Sequence, residues 1–328
     1  SYDPMQRYDP ELTVALQAFP IEAMINWDDL PAAREFGEKM LAMLADSIPD
    51  SPHVAKEDRT VPGPAGAPEV PIRVYRPVEG TGTLPGLLWI HGGGYVLGSI
   101  QQDDFMVQHM VEAVGCVAVS VEYRLAPEHP FPAGVEDCYA ALTWMADHAA
   151  ELGIAPTRIA VGGASAGGGL AAGLVLLARD RGKVTVAFQL LIYPMIDDRD
   201  TSPSSEAFAD APVWSRQANQ NGWRAYVGDA AGGADVSPYA AASRATDLTN
   251  LPPTYIAVGS HEVFLDEDVE YALRLARAGI PVELHVYPRA FHGWELIAPA
   301  AAISQRASAE RDQALKRALH PEAALSPA

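Results

Sequence analysis

Cysteine is scarce in this 328-residue chain, which contains only Cys116 and Cys138. Both lie in apolar patterns, so we predict two buried free thiols rather than a disulfide, which favours a reducing, cytoplasmic location. The chain starts at Ser1 and shows no basic segment followed by an early apolar run, so we expect no signal peptide within these residues. Because no apolar run is long enough to span a bilayer, we expect no stable membrane insertion.

Basic side chains are also few, and 23 lysines and arginines against 42 aspartates and glutamates give a formal charge of −19. Nucleic acid and anionic membrane surfaces bind clustered positive charge, so we expect neither as a partner and attribute the acidic balance to solubility. No two histidines stand at metal-ligand spacing with a carboxylate, so we predict no metal, and we expect no cofactor. The sequence does not exclude a homodimer.

Apolar segments typical of buried strands alternate with amphipathic helical patterns along most of the chain. Hydrophobic residues make up 48% of the sequence, which is enough for a sizeable core. The predicted strands are Val54–Val61, Val70–Tyr75, Gly86–Ile90, Cys116–Val121, Ile159–Gly162, Phe188–Tyr193, Thr254–Val258 and Val282–Tyr287. This alternation predicts an α/β fold in which helices cover both faces of a mostly parallel sheet of about eight strands.

Two segments interrupt the alternation. The first is helical and has apolar residues at 12, 16 and 19 on one face and at 40, 41 and 44 on another. The second contains Trp214, Trp223 and Tyr226 among polar, glycine and proline residues. We interpret both as parts of a cap over the sheet edge, although ordinary packed helices would fit the same pattern. The predicted division is a cap from residues 1–50 and 197–235, and a core from residues 51–196 and 236–328.

A G-x-S-x-G turn follows the apolar strand that ends near residue 162. Residues 161–168 read Val-Gly-Gly-Ala-Ser-Ala-Gly-Gly, and a run of small, helix-compatible residues follows. A serine in such a turn is lifted above the sheet edge, so Ser165 is a candidate nucleophile. Gly163 and Gly167 are expected where strand and helix approach too closely for side chains. A packing turn or a phosphate-binding loop is the alternative, but a phosphate-binding loop would need a lysine after the glycines.

A glycine-rich segment, His91-Gly92-Gly93-Gly94-Tyr95, directly follows the strand ending at Ile90. Three glycines allow backbone N–H groups to point into the space above the sheet, which is what the oxyanion of an acyl-transfer intermediate requires. In this type of site the N–H of the residue after the nucleophile, here Ala166, supplies a further donor. We expect His91 to orient this loop rather than to act as a base.

The candidate base is His292, which lies in a loop after the last predicted strand. In α/β folds whose G-x-S-x-G turn carries a catalytic serine, the chain order is serine, then acid, then histidine, which is the order found here. Glu262 is the preferred acid because it lies closest to the end of strand Thr254–Val258. Asp266 is the alternative, although a carboxylate in the first turn of a helix already has a structural explanation in the helix dipole. Asp197 and Asp198 follow another strand and rank third.

In the residues discussed above, the chain resembles the hormone-sensitive-lipase-like esterases, the bacterial family IV branch of the α/β-hydrolase fold. The resemblance rests on residues 91–94, 123–128, 130–133, 136–137, 163–168, 259–267 and 292–293. It implies that Ser165 is the nucleophile, that His292 is the base, and that Gly93, Gly94 and Ala166 donate to the oxyanion. It also implies a helical cap and esters of short to medium acyl chains. The sequence departs from the family at Ala164, where Asp or Thr is usual, and at Glu262, where Asp is usual.

We therefore predict a serine carboxylesterase that works through an acyl-enzyme with a Ser165–His292–Glu262 triad on a small ester substrate. Two alternatives stay open, namely a non-hydrolytic binding protein of the same fold and a peptidase or amidase with the same triad. The candidate pocket residues are Tyr95, Trp214, Trp223 and Phe19, for which core packing is an equally good explanation.

Overall fold

The computed structural model describes residues 7–19, 25–80 and 82–324, and its centre is one eight-stranded sheet. The strands are β1 (Val54–Val61), β2 (Val70–Pro77), β3 (Leu84–Ile90), β4 (Val117–Val121), β5 (Ile154–Ala164), β6 (Phe188–Ile192), β7 (Thr254–Gly259) and β8 (Val282–Tyr287). Their order across the sheet is β1-β2-β4-β3-β5-β6-β7-β8. Strand β2 pairs antiparallel with β1 and β4, and every other pairing is parallel. The predicted α/β architecture is confirmed.

Helices connect the strands and cover the sheet. They are α1 (Pro10–Ala18), α2 (Leu30–Ser47), α3 (Asp104–Val114), α4 (Ala133–Asp147), α5 (Ala149–Leu152), α6 (Ala166–Arg181), α7 (Pro203–Ala207), α8 (Arg216–Val227), α9 (Leu265–Arg277), α10 (Trp294–Ile297), α11 (Ala302–Leu319) and α12 (Pro321–Ala324). Helix α3 packs against α11, and α4 packs against α6. The central strands are accordingly rich in apolar residues, and every residue of β4, β6 and β7 is buried.

The N-terminal helices differ in how they meet the core. Helix α1 begins at an Asp9 cap followed by a proline and buries Leu12 and Leu16, as its apolar face predicts. In α2 only Ala33 is buried, and Leu44 of the second predicted face is 49% exposed. The parts of the predicted cap at residues 1–6 and 20–24 lie outside the described residues.

Two other sequence predictions concern cysteines and membranes. Cys116 and Cys138 are both buried and unpaired, which confirms the predicted free thiols. Across residues 7–19, 25–80 and 82–324, no helix combines the length and hydrophobicity needed to cross a bilayer.

Candidate active site

Ser165 occupies the sharp turn between β5 and α6. Its φ of +59° is rare for a residue other than glycine and is typical of strained positions at functional sites. The turn is held by the Ser165 N–H, which donates to the Ile192 oxygen at 2.9 Å. A Cβ on Gly163 would lie 2.2 Å from the Gly167 oxygen, and one on Gly167 would lie 2.0 Å from the Ile90 oxygen. The close approach predicted for both glycines is therefore present.

Ser165, His292 and Glu262 form one continuous chain of hydrogen bonds. Ser165 Oγ lies 2.8 Å from His292 Nε2, and His292 Nδ1 lies 2.7 Å from Glu262 Oε1. Glu262 is fully buried, and its second oxygen, Oε2, accepts the N–H of Gly259 at 3.0 Å. His292 is 4% exposed, so the chain is shielded from solvent along most of its length. The structure brings together the three side chains that the sequence singled out.

The other candidate acids have different partners. Asp266 lies in the first turn of α9, where its Oδ2 accepts the Ser204 N–H at 2.6 Å and its own N–H donates to Ser204 Oγ at 3.0 Å. Asp197 pairs with Arg199, and Asp198 pairs with Arg244. Of the four carboxylates considered, Glu262 is the one hydrogen-bonded to His292.

The loop after β3 approaches Ser165 at Gly92. A Cβ on Gly92 would lie 3.2 Å from that of Ser165, while Gly93 and Gly94 have φ values of +128° and +63° that favour glycine. Ala166 is the first residue of the 16-residue helix α6, so its N–H lies at the positive end of the helix dipole. Within the described residues, the N–H groups of Gly93, Gly94 and Ala166 form no hydrogen bond with the protein.

His91 is a buried part of this loop. Its ring stacks on Tyr123 at a centroid distance of 4.3 Å, and its Nδ1 lies 2.7 Å from the Gly92 oxygen. The Tyr123 hydroxyl donates to the His91 backbone oxygen at 2.7 Å. Burial lowers the pKa of His91 to about 4, so the side chain is neutral at physiological pH. These contacts suit a residue that orients the loop.

Two aromatic rings that sequence reasoning did not single out confine the imidazole of His292. Tyr193 presents an edge to it at a centroid distance of 4.4 Å, and Phe264 does so at 5.1 Å. The Tyr193 hydroxyl in turn donates to the carboxylate of Glu295. Tyr193 ends the apolar run of β6, and Phe264 lies two residues after Glu262. Their positions beyond strand ends are the signal by which both could have been found.

The candidate pocket residues lie in different surroundings. Tyr95 is 2% exposed, stacks on Tyr226 at 3.9 Å and donates its hydroxyl to the Met195 oxygen at 2.9 Å. Trp223 is buried beside Tyr95 at 5.3 Å. The ring of Trp214 covers Gly94 so closely that a Cβ there would lie 2.5 Å from it. Phe19 is half-buried at the end of α1.

The chain is similar to known proteins along most of its length. The model of a family described as having the alpha/beta hydrolase fold matches residues 87–296. The carboxylesterase NlhH of Mycobacterium tuberculosis is 39% identical over 320 residues, covering 95% of this chain and 96% of the relative. An arylesterase of Saccharolobus solfataricus is 33% identical, covering 83% and 87%. The solved structure of a bacterial heroin esterase superposes with a TM-score of 0.92 at 47% identity, covering 97% of this chain and all of the other.

Proposed function

The chain belongs to the α/β-hydrolase fold family, in its hormone-sensitive-lipase-like branch, and we propose that it is a serine carboxylesterase with a Ser165–His292–Glu262 triad. The observation that carries the proposal is the unbroken hydrogen-bond chain from Ser165 Oγ through the imidazole to the buried carboxylate. The esterase names of relatives that align along nearly the whole chain support it.

The proposed reaction proceeds in two steps. His292 Nε2 takes the hydroxyl proton of Ser165 as Oγ attacks the ester carbonyl carbon, and the resulting imidazolium then protonates the departing alcohol. This leaves an acyl-enzyme at Ser165. In the second step His292 takes a proton from water, hydroxide attacks the acyl carbon, and the proton returns to Ser165 Oγ as the carboxylic acid leaves. Glu262 accepts the Nδ1 proton of His292 in a hydrogen bond, which fixes the tautomer and stabilises the imidazolium.

The N–H groups of Gly93, Gly94 and Ala166 are the proposed oxyanion donors. Two observations support this role: the loop approaches Ser165 at Gly92, next to Gly93, and Ala166 directly follows Ser165. The three N–H groups are also not used in the internal hydrogen bonding of the described residues. The helix dipole of α6 adds positive potential at Ala166. Removing one such donor from an enzyme of this kind costs about 10²–10³ in kcat, so the three amides matter as much as a side chain.

We further propose that residues 1–50 and 197–235 form a cap and that residues 51–196 and 236–328 form the catalytic core. The ring contact between Trp27 and Trp214, with centroids 6.2 Å apart, supports a single cap because it joins the two segments. Stacking of Tyr226 on Tyr95 supports attachment of the second segment to the oxyanion loop.

Short to medium acyl chains are the proposed substrates. The ring of Trp214 lies directly against Gly94, whose N–H binds the carbonyl oxygen of the substrate in the proposed reaction. Val213, which precedes it, has φ +70°, a costly conformation for a β-branched residue that indicates a firmly held segment. A rigid indole at this place limits the length of the acyl chain. Tyr95, Trp223 and Phe19 remain proposed pocket residues without such a contact.

Ser165→Ala tests the proposed activity. We expect hydrolysis of p-nitrophenyl butyrate to fall by at least about 10³-fold while the circular dichroism spectrum stays unchanged, because the variant removes only the attacking oxygen. Undiminished hydrolysis in this variant would refute the assignment. A p-nitroanilide with the same acyl group separates the alternatives: faster cleavage of the anilide would favour an amidase or peptidase. Absence of hydrolysis in the wild-type protein on all esters would favour a binding protein.

A further inference from the structure

Arg34, on helix α2, reaches two loops beside the candidate active site. Its Nε donates to the backbone oxygen of Val96 at 2.9 Å, and its Nη2 donates to that of Ala126 at 3.1 Å. The same guanidinium donates to the Glu128 carboxylate from both Nη1 and Nη2, and Nη2 lies 3.0 Å from Oε1. Contacts in three directions use the planar fork of donors that arginine has and lysine lacks.

Both backbone contacts of Arg34 lead to the loop that carries Gly93 and Gly94. The N–H groups of Val96 and Leu97 donate to the Gly93 oxygen at 3.1 and 2.8 Å, so the Val96 oxygen bound by Arg34 belongs to the turn that closes on Gly93. Ala126, whose oxygen is the second acceptor, donates its own N–H to the Tyr95 oxygen at 2.9 Å. One guanidinium therefore holds the loop directly at Val96 and through one further residue at Tyr95.

Apart from Arg34, helix α2 has few contacts with the core, among them Leu30, which is partly buried. Ala33 is its one buried residue, and its C-terminal half is open to solvent, with Met43 68% exposed. Buried apolar surface is what normally holds a helix on a core, so α2 gains little from packing. The Arg34 side chain, only 22% exposed, therefore carries a large share of its attachment.

We propose that Arg34 is a positioning residue for the oxyanion loop, which couples the seating of α2 to the alignment of the Gly93 and Gly94 amides. This inference rests on the proposed function, because it takes these amides as the oxyanion donors. Such donors act within about 2.7–3.1 Å of the oxyanion, and they strengthen as charge develops on it. A small shift of the loop therefore lowers kcat while leaving substrate binding almost unchanged.

Arg34→Lys tests this role with Arg181→Lys as the matched control. Arg181 forms an ion pair of the same kind with Glu136, its Nη1 lying 3.0 Å from Oε2, but at the end of α6 remote from Ser165. We expect Arg34→Lys to lower kcat for p-nitrophenyl acetate about tenfold with KM within about twofold of wild type, since misplacement of about 1 Å can cost up to 10²-fold. We expect Arg181→Lys to match the wild-type enzyme.

Two further variants separate positioning from simple charge pairing. Glu128→Gln removes the charge but leaves both backbone contacts of Arg34, so we expect kcat within about threefold of wild type. Arg34→Met keeps the stem and removes every donor, so its loss should exceed that of Arg34→Lys. Melting temperatures monitor folding throughout. Inactivation by a p-nitrophenyl alkylphosphonate, whose phosphoryl oxygen uses the same donors, should slow in parallel with kcat.

The inference would be overturned if Arg34→Lys and Arg181→Lys had the same kcat, or if the loss lay wholly in KM. A Glu128→Gln loss equal to that of Arg34→Met would also overturn it, because charge pairing would then explain the effect. Failure of the proposed function looks different: the wild-type protein would then lack Ser165-dependent ester hydrolysis.

Discussion

Replacing Glu262 with glutamine tests the candidate triad most directly. The two oxygens of Glu262 have different partners, since Oε1 lies 2.7 Å from His292 Nδ1 and Oε2 accepts the Gly259 N–H at 3.0 Å. Glutamine keeps the shape but offers one acceptor and one donor group. Because the buried Gly259 N–H needs an acceptor, the amide oxygen takes the place of Oε2 and the NH2 group faces His292.

That orientation reverses the hydrogen bond to the imidazole. His292 must then accept at Nδ1 and carry its proton on Nε2, and this tautomer cannot take a proton from Ser165. The same exchange of acid for amide in a Ser-His-Asp triad lowers kcat by about 10⁴-fold, and we expect a loss of that order here. At about 1.36 kcal/mol for each factor of ten, the loss corresponds to about 5 kcal/mol of transition-state stabilisation.

Asp266→Asn is the matched control, because Asp266 follows the same strand but bonds to Ser204 instead of His292. We expect its kcat to fall by less than about tenfold, with a lower melting temperature because the negative charge that favours the first turn of α9 is removed. For both variants kcat is measured at saturating p-nitrophenyl butyrate, after titration of the reactive serine has given the concentration of active enzyme. A larger loss of kcat in Asp266→Asn than in Glu262→Gln would refute the assignment of the acid.

Two further outcomes concern the pocket and the pH dependence of stability. Trp214→Ala should raise the ratio of kcat/KM for the p-nitrophenyl octanoate over that for the acetate at least about tenfold, whereas Trp144→Ala, which removes a tryptophan stacked on His148, should leave it unchanged. Burial raises the pKa of Glu267 to about 8 from an ordinary 4.5, so the unfolded chain binds fewer protons between these values and stability falls as pH rises through them. Across this pH range Glu267 should lower the free energy of unfolding in urea by on the order of 5 kcal/mol. Glu267→Gln, which can keep the hydrogen bond from Ser202, should lack this contribution. Parallel curves of unfolding free energy against pH for the variant and the wild type would contradict this.

The sheet could be predicted from the sequence because each central strand is buried on both faces. Strands such as β6 and β7 are then mostly apolar runs with clear ends, and their bounds differ from the prediction by one residue. The sequence predicts strand β5 only from Ile159, whereas the strand begins at Ile154. Its first residues include the exposed Pro156 and Thr157, and pairing with β3 is irregular there, so no apolar run marks them.

The candidate site could be predicted where a residue type and a strand end coincide. Ser165 and Glu262 each follow a strand, and parallel strands bring their carboxyl ends to one edge, so proximity in space follows from position in the chain. Asp266 lies in the first turn of a helix, which already explains a carboxylate at this position, and its bond to Ser204 fits that structural role. Nothing in the structure explains why Ala164 stands where relatives of the family usually have Asp or Thr.

Arg34 shows what the sequence could not reveal. It and Val96 are 62 residues apart, and the contact joins a side chain to a backbone oxygen, so the partner's residue type leaves no mark on the sequence. The hydrophobic periodicity of α2 identifies Arg34 only as a polar position on an amphipathic helix. Local sequence motifs identify Ser165 as a reactive residue, but the alignment of the groups around it depends on such long-range polar contacts. Variants that keep every motif intact and change only Arg34 therefore test the alignment of the oxyanion loop separately from the presence of the catalytic residues.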